Sequence, residues 1–308
     1  GKDSTRQALW VRDKLGLNPL LVSVVYPPKQ VSQNGVDNIS NLISLGFDVY
    51  ILSAAPRLSR ELMKESFFRF GNIVKATEMA LFSGVPRVAF QKGIPLILWG
   101  ENPALYVGDS ATLGSSMWDG SNLINSNTLQ GGNLDWFIEV SGNKNLLPMY
   151  KFPSKANLEK SKIKTIFLGP AWPDWSADHS SRVSISYGLN IRGGDAKITG
   201  DRLGTRQLDE DWFIVNMLIK FYKFGFARAT EEANIAIREN KITREQGIKI
   251  AEDYDEACGD EYIESFCKYI SISKDEFWEN VMKFTNKELF DCSGKRPKKL
   301  FKVGKGIR

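Results

Sequence analysis

Over its first half the chain alternates short apolar runs with stretches of helical periodicity. Residues 20–26 (LLVSVVY) are continuous, apolar and β-branched, as in a strand buried on both faces of a parallel sheet. Residues 48–52, 95–99 and 165–169 have the same character and predict three more strands. Between them, residues 36–45 place Ile39, Leu42 and Ile43 on one helical face and stop at Gly46. Residues 6–15, 58–70 and 76–91 predict further helices. This alternation predicts an α/β fold: a parallel sheet with right-handed crossovers and helices on both faces.

From Asp209 onward the pattern is helical. Residues 212–222 are apolar nearly all round but are broken by Asn216 and Lys220, which predicts a buried helix rather than a membrane span. Gly225 follows it. Thr243-x-x-Gln246 and Ser273-x-x-Glu276 predict two capping boxes, and the second helix groups Trp278, Val281 and Met282 on one face. Residues 106–145 are rich in Gly, Ser, Asn and Asp and read as an insertion or mobile loop. The expected organisation is an α/β domain over 1–205, a helical region over 206–290 and a basic tail over 291–308.

Charge refines this division. The net charge is +5, but the tail holds Lys295, Arg296, Lys298, Lys299, Lys302, Lys305 and Arg308 and no acid. Without these, 34 basic residues face 36 acidic ones, so the body is not a basic nucleic-acid binder. The tail itself reads as a solvated, poorly ordered end. Cys258, Cys267 and Cys292 are too widely spaced for a metal motif and fit reduced thiols in a cytoplasmic protein. The single histidine, His179, reads as a surface residue at a helix start. One histidine leaves little for a His-based metal site or a His-activated nucleophile.

Candidate chemistry lies at both ends of the expected sheet edge. Gly1, Lys2, Asp3, Ser4 and Thr5 head a helix, where backbone amides point outward and the dipole favours anions. Lys2 suits phosphate, Asp3 is a hard oxygen ligand for Mg²⁺, and Ser4 and Thr5 add hydroxyl donors. Asp follows the lysine where a Walker A loop has Ser or Thr. The plain alternative is that Asp3 and Ser4 only cap the helix. Gly100, Glu101 and Asn102 follow the strand at 95–99, on the carboxyl edge where open α/β sheets bind ligands. Glu101 there suits Mg²⁺ or a substrate hydroxyl; otherwise it belongs to a polar turn before Pro103.

GKDST resembles the end of the SGGKDS pyrophosphate loop of the PP-loop ATP-pyrophosphatases, which cleave ATP between the α and β phosphates. GKDST at 1–5, FFRFG at 67–71, GIPLILWGENP at 93–103 and KFGFARATEEANIAIRENKITREQGIKIAEDYD at 223–255 together resemble the N-acetyl sugar amidotransferases of the WbpG/PseA kind. Ala227 stands where that family usually has Gly, and residues 110–201 match it loosely. The resemblance implies a Rossmann-like PP-loop domain of the adenine nucleotide alpha hydrolase type with a C-terminal helical region. It implies ATP and Mg²⁺ as cofactors, and a nucleotide-linked or nonulosonic N-acetyl sugar whose acetamido group becomes acetamidino in surface-polysaccharide, O-antigen or flagellin-glycan synthesis. Lys2, Asp3 and Arg228 would be catalytic, with Arg228 clamping phosphate or a sugar acid unless it makes an ordinary helix-start salt bridge. Gly1 to Thr5, Gly100, Glu101 and Asn102 would bind the nucleotide, and Asp3 and Glu101 the metal. Ammonia would come from a partner glutamine amidotransferase. The resemblance also implies a strand leading into the loop, between those at 20–26 and 95–99. The chain starts inside the loop, so those two strands are expected to flank a gap, and the polypeptide to be a fragment. Two alternatives stay open: another PP-loop enzyme, such as a tRNA thiolase or an amidating synthetase, and a non-catalytic interaction module.

Overall fold

A computed structural model describes residues 1–100, 119–126, 128–169, 172 and 176–307. The chain forms two compact units. One comprises Gly1–Leu62 with Lys75–Ile191, the other Met63–Val74 with Arg192–Arg308. The sequence pattern places a boundary near residue 205; by contacts the second unit opens at Arg192 and also takes in the segment Met63–Val74.

In the first unit, helix α1 (Lys2–Leu15) leads to strand β1 (Leu21–Val25), α2 (Gln33–Ser44) and β2 (Val49–Ser53). Helix α3 (Pro56–Phe70) follows; it counts with the first unit as far as Leu62. Then come α4 (Lys75–Lys92), β3 (Leu96–Trp99), α5 (Asp135–Ser141), α6 (Lys155–Ser161), β4 (Lys164–Phe167) and α7 (Ala177–Ser186). β1 pairs with β2 and β3 with β4, all parallel, while β1 and β3 are not paired with each other. β1 and β3, the strands expected to flank a gap, thus belong to two separate parallel pairs.

Helices cover both faces of these pairs, and strand periodicity explains how. Ile97, Trp99 and Phe167 meet Phe82, Val85 and Ala89 of α4, with Phe82 stacked on Trp99 at 5.1 Å. Leu98 and Ile166 point the other way, to Trp10 and Val11 of α1. The same division holds for the first pair. Leu21 packs with Ala8 and Leu9 of α1, whereas Val24 and its register partner Leu52 approach Gly84 of α4. A Cβ on Gly84 would stand 3.0 Å from Val24, so glycine there sets how closely α4 lies on the strands. β1 was expected to be buried on both faces, yet it is half-buried along its whole length, and Ile51 of β2 is half exposed.

The second unit is helical: α8 (Ala196–Thr199), α9 (Phe213–Phe224), α10 (Arg228–Arg238), α11 (Arg244–Tyr254), α12 (Asp260–Ile270) and α13 (Lys274–Phe284). Gly225 ends α9 with φ 78°, and both predicted capping boxes form, at Thr243/Gln246 and Ser273/Glu276. The core is aromatic. Phe67 stacks flat on Phe277 at 5.4 Å and meets the edge of Phe266 at 5.5 Å, and Asn280 donates to the Phe67 carbonyl at 2.8 Å. Gly71 of the same FFRFG stretch has φ 53°, and a Cβ there would stand 2.6 Å from the Phe284 ring. Within this unit the motif is therefore a packing device.

The tail departs from the expected disordered end. Strands β5 (Phe290–Asp291) and β6 (Lys298–Lys299) form one small hairpin, and β7 (Phe301–Lys302) and β8 (Gly306–Ile307) another. Phe290 and Phe301 join the aromatic core. Arg296 pairs with Asp260 at 3.1 Å and covers the Trp278 ring, and Lys299 reaches Glu256. Aromatic anchors and acidic partners on the helices hold the basic run in place. No described helix is long and apolar enough to cross a membrane.

Candidate functional site

The first candidate site is the start of α1. Lys2 to Thr5, expected at the head of a helix, form its first turn, with Gly1 as its cap. Asp3 in this turn complements the helix dipole. Helix α7 explains why the turn is buried. Ser180, Ser181 and Ser184 present small side chains to α1, so the two helices lie close. The Ser184 hydroxyl donates to the Lys2 carbonyl at 2.5 Å, and Arg6 donates to Ser180 Oγ at 3.2 Å while stacking over Trp172.

Lys2 is 3% exposed and Asp3 5%. Both were expected to face phosphate and metal, but here they pair with one another, Lys2 Nζ donating to Asp3 Oδ2. A charge withdrawn from water needs such a partner. The second carboxylate oxygen, Asp3 Oδ1, is buried and has no hydrogen-bond partner among the described residues. Thr5 is buried as well, leaving Gly1 and Ser4 as the exposed members of the stretch.

Gly100, directly after β3, meets this turn. A Cβ on Gly100 would stand 2.8 Å from Ser4 Oγ and 3.4 Å from the Ser4 amide, and the Gly100 carbonyl accepts from Gln7 Nε2 at 2.9 Å. The carboxyl end of a parallel strand and the amino end of a helix thus converge as the sequence predicts. Glu101 and Asn102 lie outside the described residues. His179 is the third residue of α7, its amide capped by Ser176 Oγ at 3.1 Å, in agreement with a helix-start reading.

The second site lies within the second unit. Residues of α8, α9, α10 and the end of α11 form a small, open pocket lined by Arg192, Asp201, Arg206, Phe213, Arg228 and Asp255, among others. Arg192 donates to the carbonyls of Arg206 at 2.9 Å and Gln207 at 2.8 Å, and pairs with Asp211 at 3.0 Å and Asp201 at 3.5 Å. Asp201 also accepts from the amides of Gly204 and Arg206, both at 2.9 Å. Arg206 pairs with Glu232 at 3.0 Å. Asp255 takes the Thr230 amide at 2.9 Å, and burial raises its carboxyl.

Arg228 is different. The alternative of a helix-start salt bridge is not realised: among the described residues no carboxylate pairs with it and no acceptor bonds its guanidinium, which lies 4.9 Å from the Phe213 ring centre. Burial first, and then the neighbouring Arg206, lower its pKa to about 10, so it is charged at neutral pH. Ala227 before it has a negative φ of −138°, so the backbone there is not in the left-handed region that would call for the glycine usual in the family.

Gly204 holds the loop around Asp201. It has φ 63°, and a Cβ there would stand 2.4 Å from the Arg192 carbonyl oxygen. Gly204→Ala is expected to destabilise the second unit by about 2–5 kcal/mol, combining left-handed strain of roughly 1–2 with overpacking of roughly 1–3. Urea unfolding followed on Trp212 and Trp278 would show a lower midpoint. Gly294→Ala, whose nearest neighbour would be 3.7 Å away, should leave the midpoint unchanged.

Residues 208–305 match the family model described as "LPS biosynthesis protein WbpG-like, C-terminal domain". This segment is a WbpG-like C-terminal domain. Its bounds fall within the second structural unit, so the matched segment contains Arg228, Phe213, Asp255 and the tail as far as Lys305. No curated protein matches the chain. Arg192, Arg206 and Phe213 were not expected as pocket residues. The signal available was weak: acids and arginines crowd residues 192–211, just before an aromatic helix, but their partners are distant in sequence.

Proposed function

We propose that the chain is an ATP-dependent enzyme of lipopolysaccharide or related surface-glycan biosynthesis that converts an N-acetyl group of a sugar to an acetamidino group. The observation that carries this reading is Gly100 seated on Ser4. It joins a strand's carboxyl end to a helix's amino end, the kind of edge at which open α/β sheets hold phosphates. The WbpG-like C-terminal domain supports the pathway.

An amide oxygen is a poor leaving group. In the proposed reaction it attacks the α-phosphorus of ATP, the bond to the β-phosphate breaks, and pyrophosphate leaves. Ammonia then adds to the resulting imidate carbon, and AMP departs with the former amide oxygen. The amides at the head of α1 and the Ser4 hydroxyl would hold the departing pyrophosphate, and Lys2 would balance its charge by shifting from Asp3. Asp3 Oδ1, buried without a described partner, fits a hard cation, and Asp3 would hold Mg²⁺. Bound there, Mg²⁺ neutralises phosphate charge. Burial pushes the thiols of Cys258 and Cys267 up to about 12 and about 11, which suits inert core residues rather than a glutaminase nucleophile. Ammonia would come from a separate glutaminase subunit.

Incubation with ATP, ammonium and a panel of nucleotide-linked acetamido sugars should yield AMP and a product one mass unit lighter. Glutamine should replace ammonium only when the glutaminase subunit is added. AMP formation with no change in sugar mass would point to another PP-loop reaction, and glutamine hydrolysis by the protein alone would remove the partner from the scheme.

A further inference from the structure

We infer that the second unit carries a docking surface for an anionic lipid bilayer, formed where the turn between α9 and α10 meets the basic tail. Phe224, Phe226 and Leu300 supply its apolar part, and the lysines of the tail its charge. Docking of this kind is independent of the proposed reaction and can be read without ATP, ammonia or a sugar.

The apolar part is built around Gly225. This residue lies against the tail: a Cβ there would stand 2.8 Å from Leu289 and 3.7 Å from the Phe301 ring. Its two neighbours are turned outward. Phe224 is 55% exposed and Phe226 38%, with ring centres 6.3 Å apart. Leu300, whose amide donates to the Leu289 carbonyl at 2.9 Å, is 49% exposed. One exposed apolar side chain would be ordinary, but three gathered about a single contact mark a surface that meets a partner.

Strand alternation brings charge to the same place. Lys299 and Phe301 face inward, Lys299 to Glu256 and the Phe221 ring, Phe301 to the Phe290 and Phe221 rings. Lys298, Leu300 and Lys302 take the outer face and are exposed, as is Lys305 in the turn of the second hairpin. The acids of the surroundings do not cancel this charge. Asp260 pairs with Arg296 and Lys274, Glu256 with Lys299, and Glu231 with Lys220. Asp291, opposite Lys298 in the first hairpin, accepts from the Ser293 amide and hydroxyl, and Glu288 is exposed. Against these last two stand the exposed Lys287, Lys295, Lys298, Lys302 and Lys305.

The type of cation selects the partner. The carboxylates of another protein are held best by the planar fork of arginine, and lysine is depleted at protein–protein interfaces. Arg296 is already engaged, with Asp260 and the Trp278 ring. Lysines are point charges on flexible stems, which suit the diffuse negative potential of an anionic bilayer. Phenylalanine rings beside them can enter the headgroup region while the lysine stems reach to the phosphates. Reversible attachment to a bilayer takes an apolar signal and a basic one, and here the two adjoin.

The test is co-sedimentation of the whole protein with large vesicles, made either of phosphatidylcholine and phosphatidylglycerol in equal parts or of phosphatidylcholine alone. Binding is expected to the anionic vesicles only, and to weaken as salt rises. Lys302→Gln with Lys305→Gln should weaken it roughly twenty-fold, at about five-fold for each lysine near the surface. Phe224→Ser with Phe226→Ser should weaken it about ten-fold or more, for the apolar area that no longer leaves water. If the phenylalanine pair fails to fold, Phe224→Ser, at the more exposed position, takes its place. Soluble polyglutamate, which offers carboxylates without an apolar layer, should bind more weakly than the anionic vesicles. Equal sedimentation with both kinds of vesicle, undiminished binding by the lysine or the phenylalanine variant, or polyglutamate binding as tight as that of the vesicles would overturn the assignment.

Discussion

Lys2→Ala is expected to slow ATP-dependent pyrophosphate release by about a hundred- to a thousand-fold, the cost of removing one preorganised donor from a site where charge develops. Part of the loss could come from the fold, because the substitution strands the Asp3 carboxylate, which is only 5% exposed. Breaking one side of a buried ion pair costs about 3–5 kcal/mol. Removing both partners separates the two effects. Lys2→Ala with Asp3→Ala leaves no uncompensated charge and should recover most of the lost stability, measured by thermal unfolding. It should not recover turnover, measured as pyrophosphate released per folded molecule. A double variant that released pyrophosphate at the parental rate would sink the assignment of this turn to ATP.

Phe67→Ala is expected to destabilise the second unit by about 3–5 kcal/mol, the range for deleting a fully buried aromatic side chain. The ring is stacked on Phe277, edge-on to Phe266, and inaccessible to solvent. Few core positions have so many rigid neighbours, which limits collapse into the cavity. The measurement is native-state amide exchange in α9, α12 and α13, where protection should fall by two to almost four powers of ten. Unchanged protection there would mean that the FFRFG stretch is not a structural part of the WbpG-like unit. Because the chain has two units, a whole-protein melting temperature is the poorer readout.

Much was determined by the sequence itself. Periodicity placed the four parallel strands to within a residue or two, and both capping boxes formed where Thr243/Gln246 and Ser273/Glu276 predict them. These features depend on residues close together in the chain, so local spacing suffices to find them. The approach of Gly100 to the first turn of α1 also followed from strand order, because ligand sites gather at one edge of a parallel sheet. Other features were decided only by tertiary contacts. Lys2 and Asp3 face each other rather than solvent because the serines of α7 bury the turn they occupy. The tail is ordered because Phe301 finds an aromatic core and Arg296 finds Asp260 and Trp278. The Arg228 guanidinium has no carboxylate partner among the described residues because Glu232 and Asp255 are already engaged, by Arg206 and Thr230. Each of these outcomes turns on which distant partner reaches a charge or a ring first, and burial then makes that pairing costly to exchange.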